Sequence, residues 1–324
     1  MAESIHSHDA SSVPQQRFVI TNNYGEKLVA VLHETGSKKL VILCHGFGCT
    51  KDHEIILNLS DAITSKDISV VRFDFSGNGE SDGTSEYDDL WKEVDDLHSV
   101  LLYFSEKDYE TSAVVGHSKG GSVVVLYASK YADAHTVINI SGCFDFKRGI
   151  ENVLGQDYLQ RIKIDGFIDV MDKNGKFAFR VTEQSLMDIL NFDMHAACLS
   201  IDKKCRLLLP LAPHLKIFTV HGSADEINPV EDAYEFAKVI PNHKLHIIEG
   251  ANHFYTKHQE ELAKVVVNFL ASVQCLTKLE ALRIMSDTLL CMRVFGITYV
   301  HMLVGMHTNV YLPSSYNVQQ AGRR

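Results

Sequence analysis

The chain has 324 residues, 45% hydrophobic and 22% charged, with a formal net charge of -10. That composition suits a globular protein with a full core, and at this length one large α/β fold is as natural as two smaller domains. The acidic balance and the lack of a long Lys/Arg run exclude nucleic acid as an expected partner, because phosphate neutralisation dominates such binding. Seven cysteines, an odd number with no Cys-x-x-Cys pair, argue against a zinc ribbon or a disulfide framework. They favour reduced thiols in a cytoplasmic protein.

Residues 1–16 lack the basic start and apolar core of a signal peptide and read as a mobile tail. The domain proper is expected over 17–273. Arg17–Thr21 and Leu28–His33 open it as strands. Leu40–Cys44 is a compact apolar run that stops at His45-Gly46, and Ile68–Phe73 ends at Asp74. Ala113–Val115, Thr136–Ile140, Leu215–Val220 and Leu245–Ile248 repeat the theme. Continuous apolar runs of this length suit strands buried on both faces. Between them lie helical patterns. In Glu86–Lys107 the residues Leu90, Val94, Leu97, Leu101 and Phe104 fall on one face. Val123–Tyr131, Val230–Val239 and His258–Leu270 read the same way. This alternation predicts an α/β protein with a mostly parallel central sheet flanked by helices. Ligands of such sheets sit beyond the carboxyl ends of the strands.

From about 145 to 210 the rhythm breaks. Phe167–Met171 and Lys176–Val181 flank Asn174-Gly175, a hairpin-turn pair, and a helical pattern Glu183–Leu190 follows. The segment is expected to be a small lid inserted over the sheet. Residues 274–324 are rich in Met, Leu and Val but are interrupted by Arg283, Asp287, Arg293 and His301. They hold no clean run of about 18 apolar residues, so a spanning helix and membrane association are not expected. A helix packed on the domain or on a partner, or a poorly ordered tail, is the expectation there.

The chemistry concentrates at Gly116-His117-Ser118-Lys119-Gly120, a G-x-S-x-G pattern. The bare pattern turns up by chance in about a tenth of chains this long; its context is what makes it specific. It follows a strand-like run and opens a helical one, where a tight glycine turn can project a nucleophilic serine. The helix N-terminus supplies amide donors for developing negative charge. A serine needs a base, and the base needs an orienting acid. Asp225 lies just past the run Leu215–Val220, and His253 lies just past Leu245–Ile248. They are the expected acid and base. Glu226 and Asp145 are weaker candidates for the acid, and Glu249 is expected to be structural. His117 should point away from Ser118 and pack, and His258 falls in a helical pattern. The oxyanion donors are expected to be the backbone N–H groups of Lys119 and of Phe47 in the loop His45-Gly46-Phe47-Gly48-Cys49, with the Phe47 ring lining the acyl pocket. No His/Cys/Asp spacing resembles a metal site, and no cofactor is expected.

HGFG, FDFSGNGESDG, GHSKGG, HGSADEINPVEDA and EGANHF, in this order, resemble the α/β-hydrolase superfamily. They are most similar to its serine aminopeptidase/monoacylglycerol-lipase-like branch, and to the cinnamoyl (feruloyl) esterases in particular. The resemblance spans about 17–273. It implies Ser118, Asp225 and His253 as a triad, Phe47 and Lys119 as oxyanion donors, and a site-shaping loop at Asp74–Gly79. It implies a serine hydrolase cleaving small-molecule carboxylic esters through an acyl-enzyme. A lysophospholipase or monoacylglycerol lipase, an acyltransferase using the same triad, and a catalytically silent ligand receptor are the alternatives.

Overall fold

The computed structural model describes residues 13–273, except 87, 132, 149, 172–174, 176 and 209–214. In chain order the elements are β1 (Gln15–Thr21), β2 (Lys27–His33), β3 (Lys39–Cys44), α1 (Glu54–Thr64), β4 (Ser69–Phe73), α2 (Leu90–Ser105), β5 (Glu110–His117), α3 (Lys119–Lys130) and β6 (Thr136–Ile140). Then come α4 (Ile150–Leu154), α5 (Tyr158–Asp165), β7 (Phe167–Met171), β8 (Phe177–Thr182), α6 (Glu183–Leu190) and α7 (Met194–Leu208). The series closes with β9 (Lys216–Gly222), α8 (Glu231–Val239) and β10 (His243–Ile248), followed by a helix, α9, that begins at 259. The expected extension over 274–324, the tail residues 1–12 and the hairpin's Asn174 lie outside the described residues.

Eight strands make one sheet in the order β1-β2-β4-β3-β5-β6-β9-β10. The β2 strand runs antiparallel to both neighbours, and every pair from β4 to β10 is parallel. The central strands are as apolar as their position demands: Leu40 through Cys44 are all fully buried. From β3 the chain crosses to β4 through α1, then returns over β3 to β5 through α2. The order therefore reverses between β3 and β5, and the crevice outside their carboxyl ends is where such sheets bind ligands. The loop 45–49 and Ser118 both stand there.

The sheet's helices show where tertiary packing outweighs local preference. In α3 every residue from Lys119 to Ser129 is buried, although Val123, Val124 and Val125 are poor helix formers. The helix starts four residues before the apolar run that predicts it, because Gly120 and Gly121 let it pack tightly against β3 and β6. A Cβ at Gly120 would stand 2.5 Å from the His45 carbonyl oxygen. The α1 helix carries a readable stripe, Ile55, Ile56, Leu59 and Ile63, all buried. The weak helix preference of its Ile, Asn and Thr residues explains why no helix is expected there from the sequence.

The loop after β4 is tied down by ionic groups. Asp74 is fully buried and its Oδ1 accepts the Lys51 backbone N–H at 2.7 Å. Its Oδ2 accepts from Lys51 Nζ and from the Glu80 backbone N–H, each at 3.0 Å. Lys51 also reaches Glu80 and Asp52, and Asp52 pairs with Arg72. Removing one member of a buried pair strands the other, which is far more costly than the pair's net contribution. Asp74→Ala is therefore expected to lower unfolding free energy by about 3–5 kcal/mol, read as a shift of the urea midpoint at unchanged slope.

Candidate active site

Ser118 sits between β5 and α3 with φ 57 and ψ -122, a conformation that costs an L-residue energy and that the surroundings must enforce. Two close approaches do so. A Cβ at Gly116 would overlap the Gly120 carbonyl, and one at Gly46 would press on the Ser118 Cβ at 3.0 Å. Only glycine lets the strand end, the helix start and the β3 loop converge this tightly on the serine.

The three residues singled out at strand ends come together. Ser118 Oγ lies 2.9 Å from His253 Nε2. His253 Nδ1 lies 2.8 Å and 2.9 Å from the two Asp225 oxygens. Asp225 Oδ1 also accepts the Ile227 and Asn228 backbone N–H groups at 3.0 and 2.9 Å, and His221 Nε2 stands 3.4 Å from its Oδ2. Burial alone would raise the Asp225 carboxyl, but its bonds to His221 and His253 and their charges hold it well below the usual carboxylate range.

The rival candidates occupy other places. Glu226 accepts the His253 backbone N–H at 3.3 Å, so it supports the loop and not the imidazole. Asp145 bonds to the Lys147 N–H and stands near Arg148. Glu249 is exposed in the turn after β10, outside the strand. His258 immediately precedes α9. His117 is buried and its Nε2–H donates to the His253 carbonyl at 2.9 Å. It thus packs, as its position in the turn implies, and also steadies the His253 loop.

Several participants escaped the sequence reading. His45 Nδ1–H donates to the Gly46 carbonyl at 2.8 Å, and its Nε2 accepts the Phe75 N–H at 3.1 Å. That one ring stitches the β3 loop to the β4 loop. Lys119 carries more than a backbone N–H: its Nζ donates to buried Glu93 Oε1 at 3.0 Å and to the Glu86 carbonyl at 3.2 Å, and lies 5.2 Å from the Phe47 ring centre. Burial pushes the Glu93 carboxyl up to about 7 despite Lys119. Glu93 was findable, since it stands three residues after Leu90 and four before Leu97, on the apolar stripe of α2. The Phe47 ring meets Phe179 of β8 edge-on at 4.6 Å.

Beside Ser118 opens a cleft of about 610 Å³, continuous with solvent, which Phe47 and Lys119 also line. Residues between β6 and β9 supply much of its remaining wall, among them Phe146, Ile150, Val153 and Ile189. The β7–β8 hairpin pairs antiparallel as a separate two-stranded sheet.

Burial holds two imidazoles here neutral: His45 is lowered to about 4 and His117 to about 3. A depressed folded pKa means that the unfolded chain binds the proton first. The stability contribution is complete above the unfolded value of about 6.5 and falls as pH drops below it. For His117 alone this amounts to about 2 kcal/mol between pH 7 and pH 5. The stability of His117→Gln should therefore decline less steeply than the wild type's over that interval by that amount, measured by urea unfolding at both pH values.

Such a sheet, with a serine on a strained strand–helix turn at its switch point, is the architecture of the α/β-hydrolase fold. The serine aminopeptidase (S33) family matches residues 35–172. The chain has the α/β-hydrolase fold. It is similar to the ferulic acid-bound Est1E of Butyrivibrio proteoclasticus, at 24% identity and a TM-score of 0.66, over 79% of this chain and 98% of that one. It is also similar to a Pyrococcus furiosus esterase, at 19% identity and a TM-score of 0.61, over 84% and 95% of the two chains. Among curated proteins, a protein phosphatase methylesterase 1 of Candida albicans is 32% identical over 111 residues, which span 34% of this chain and 30% of the fungal protein. A 2-hydroxy-6-oxo-6-(2'-aminophenyl)hexa-2,4-dienoic acid hydrolase of Metapseudomonas resinovorans is 23% identical over 86% of this chain and 99% of its own length. Among the described residues no helix is long and apolar enough to cross a membrane.

Proposed function

We propose that this protein hydrolyses carboxylic esters of small molecules, with Ser118 as nucleophile, His253 as general base and Asp225 as the acid that orients it. The observation that carries the reading is the unbroken line from Ser118 Oγ to His253 Nε2 and from His253 Nδ1 to Asp225, each contact under 3 Å. Ser118 Oγ attacks the ester carbonyl carbon while His253 Nε2 takes its proton. The tetrahedral oxyanion is received by the backbone N–H groups of Lys119, at the first position of α3, and of Phe47; each such donor contributes about 3 kcal/mol to the transition state. Collapse expels the alcohol, which takes the proton from His253. Water, deprotonated by the same imidazole, then attacks the acyl-serine; the acid leaves and the serine hydroxyl is restored.

The segment from about 145 to 210 acts as the lid, a role supported by the side chains it contributes to the cleft. The free Cys44, Cys49, Cys143 and Cys198 support a cytoplasmic setting. Activity-based labelling with a fluorophosphonate, followed by peptide mapping and an ester panel, tests the whole reading. Label on Ser118 and turnover of p-nitrophenyl esters are the expected result. A chain that takes no label and cleaves no ester would return the site to ligand binding alone.

A further inference from the structure

The cleft beside Ser118 is apolar over most of its wall, with one guanidinium set into it. Arg148 lines the cleft among Phe146, Ile150 and Val153. Its head is held in place. Nη1 donates to Asp232 Oδ1 at 2.7 Å, and Nε lies 3.6 Å from Asp145 Oδ2. Asp232 is fully buried at the start of α8, and its other oxygen accepts the Phe144 backbone N–H at 3.0 Å. One carboxylate therefore clamps both the guanidinium and the loop that carries it.

A guanidinium has five N–H donors. Among the described residues only Nη1 has a partner at hydrogen-bond distance, and the Arg148 side chain is 35% exposed. Solvent water can reach the remaining donors while the cleft is open. A substrate filling the cleft displaces that water. An alkyl group would leave the donors unpaired, whereas an oxygen acceptor would replace what was lost. The charge of that acceptor is constrained as well. Asp232 and Asp145 already offset the guanidinium, so a third carboxylate would meet net repulsion. Neutral oxygen fits.

We propose that Arg148 is a specificity-determining residue of this site, selecting esters whose cleft-filling group carries a neutral oxygen acceptor such as an ether, carbonyl or hydroxyl. This rests on the ester-hydrolase reading above and names its substrate class more narrowly.

The test compares kcat/KM for three kinds of matched p-nitrophenyl ester: the heptanoate, its isosteres with an ether oxygen at successive chain positions, and the adipate half-ester. In the wild type one ether position should exceed the heptanoate, and that ratio should fall at least tenfold in Arg148→Met. Because R148M strands the buried Asp232, the R148M/D232N double variant is measured beside it, with circular dichroism to establish folding. The double variant should show the same lost preference. A ratio indifferent to both variants at every ether position overturns the inference while leaving the hydrolase standing, as does the adipate half-ester proving the best substrate. Failure of the wild type to cleave any of the esters, with no fluorophosphonate label on Ser118, overturns the hydrolase reading and the inference with it.

Discussion

Replacing Ser118 with alanine is expected to reduce ester turnover by about a million-fold. The change removes the oxygen proposed to attack the ester and nothing that holds the site together. The backbone at this position is fixed by the approach of Gly46, Gly116 and Gly120, by the Ser118 N–H bond to the Ile140 carbonyl at 2.9 Å, and by the Ser122 N–H bond to the Ser118 carbonyl at 3.2 Å. None of these involves Oγ. The melting temperature should move little, and fluorophosphonate labelling should vanish. Weak residual catalysis would come from the oxyanion donors and substrate binding. Wild-type turnover in Ser118→Ala would mean that another group does the chemistry.

Asp225→Asn is expected to lower kcat by about 10⁴ with KM nearly unchanged. The carboxylate accepts from His253 Nδ1 and so keeps the proton on that nitrogen, leaving Nε2 free to receive the proton of Ser118. An amide can turn its NH₂ toward Nδ1 instead. The imidazole would then carry its proton on Nε2 and could no longer act as a base. The loop should survive the substitution, because the amide oxygen can still accept from Ile227 and Asn228. Steady-state kinetics on a p-nitrophenyl ester distinguish this from a binding defect, which would appear in KM.

Both predictions concern residues that the sequence places by itself. Ser118, Asp225 and His253 each follow a short apolar run of the kind that suits a buried strand, and parallel strands deliver their carboxyl ends to one edge of the sheet. The arrangement was therefore legible without coordinates. Less legible were groups whose roles depend on what arrives from elsewhere in the chain. His45 is a loop histidine until Phe75 presents its N–H from another loop. Arg148 gains its position from Asp232, 84 residues later. Only Glu93 had a local signal: a carboxyl group on the apolar stripe of a helix calls for a buried polar partner, and Lys119 supplies it. The α1 helix was obscured for a different reason, because residues with weak helix preference carry its apolar stripe.

The β7–β8 hairpin forms its own sheet, and its strands share no ladder with the eight-stranded one. The hairpin thus meets the loop beside the serine through side chains such as Phe179 on Phe47, with no shared ladder. Packing interfaces tolerate exchange far better than hydrogen-bonded registers, where a slip of one residue inverts every side chain. The molecule is consequently modular in an evolutionary sense. Its reactive machinery can stay constant while the stretch between β6 and β9 diverges, and a new substrate range can arise by rewriting that stretch alone.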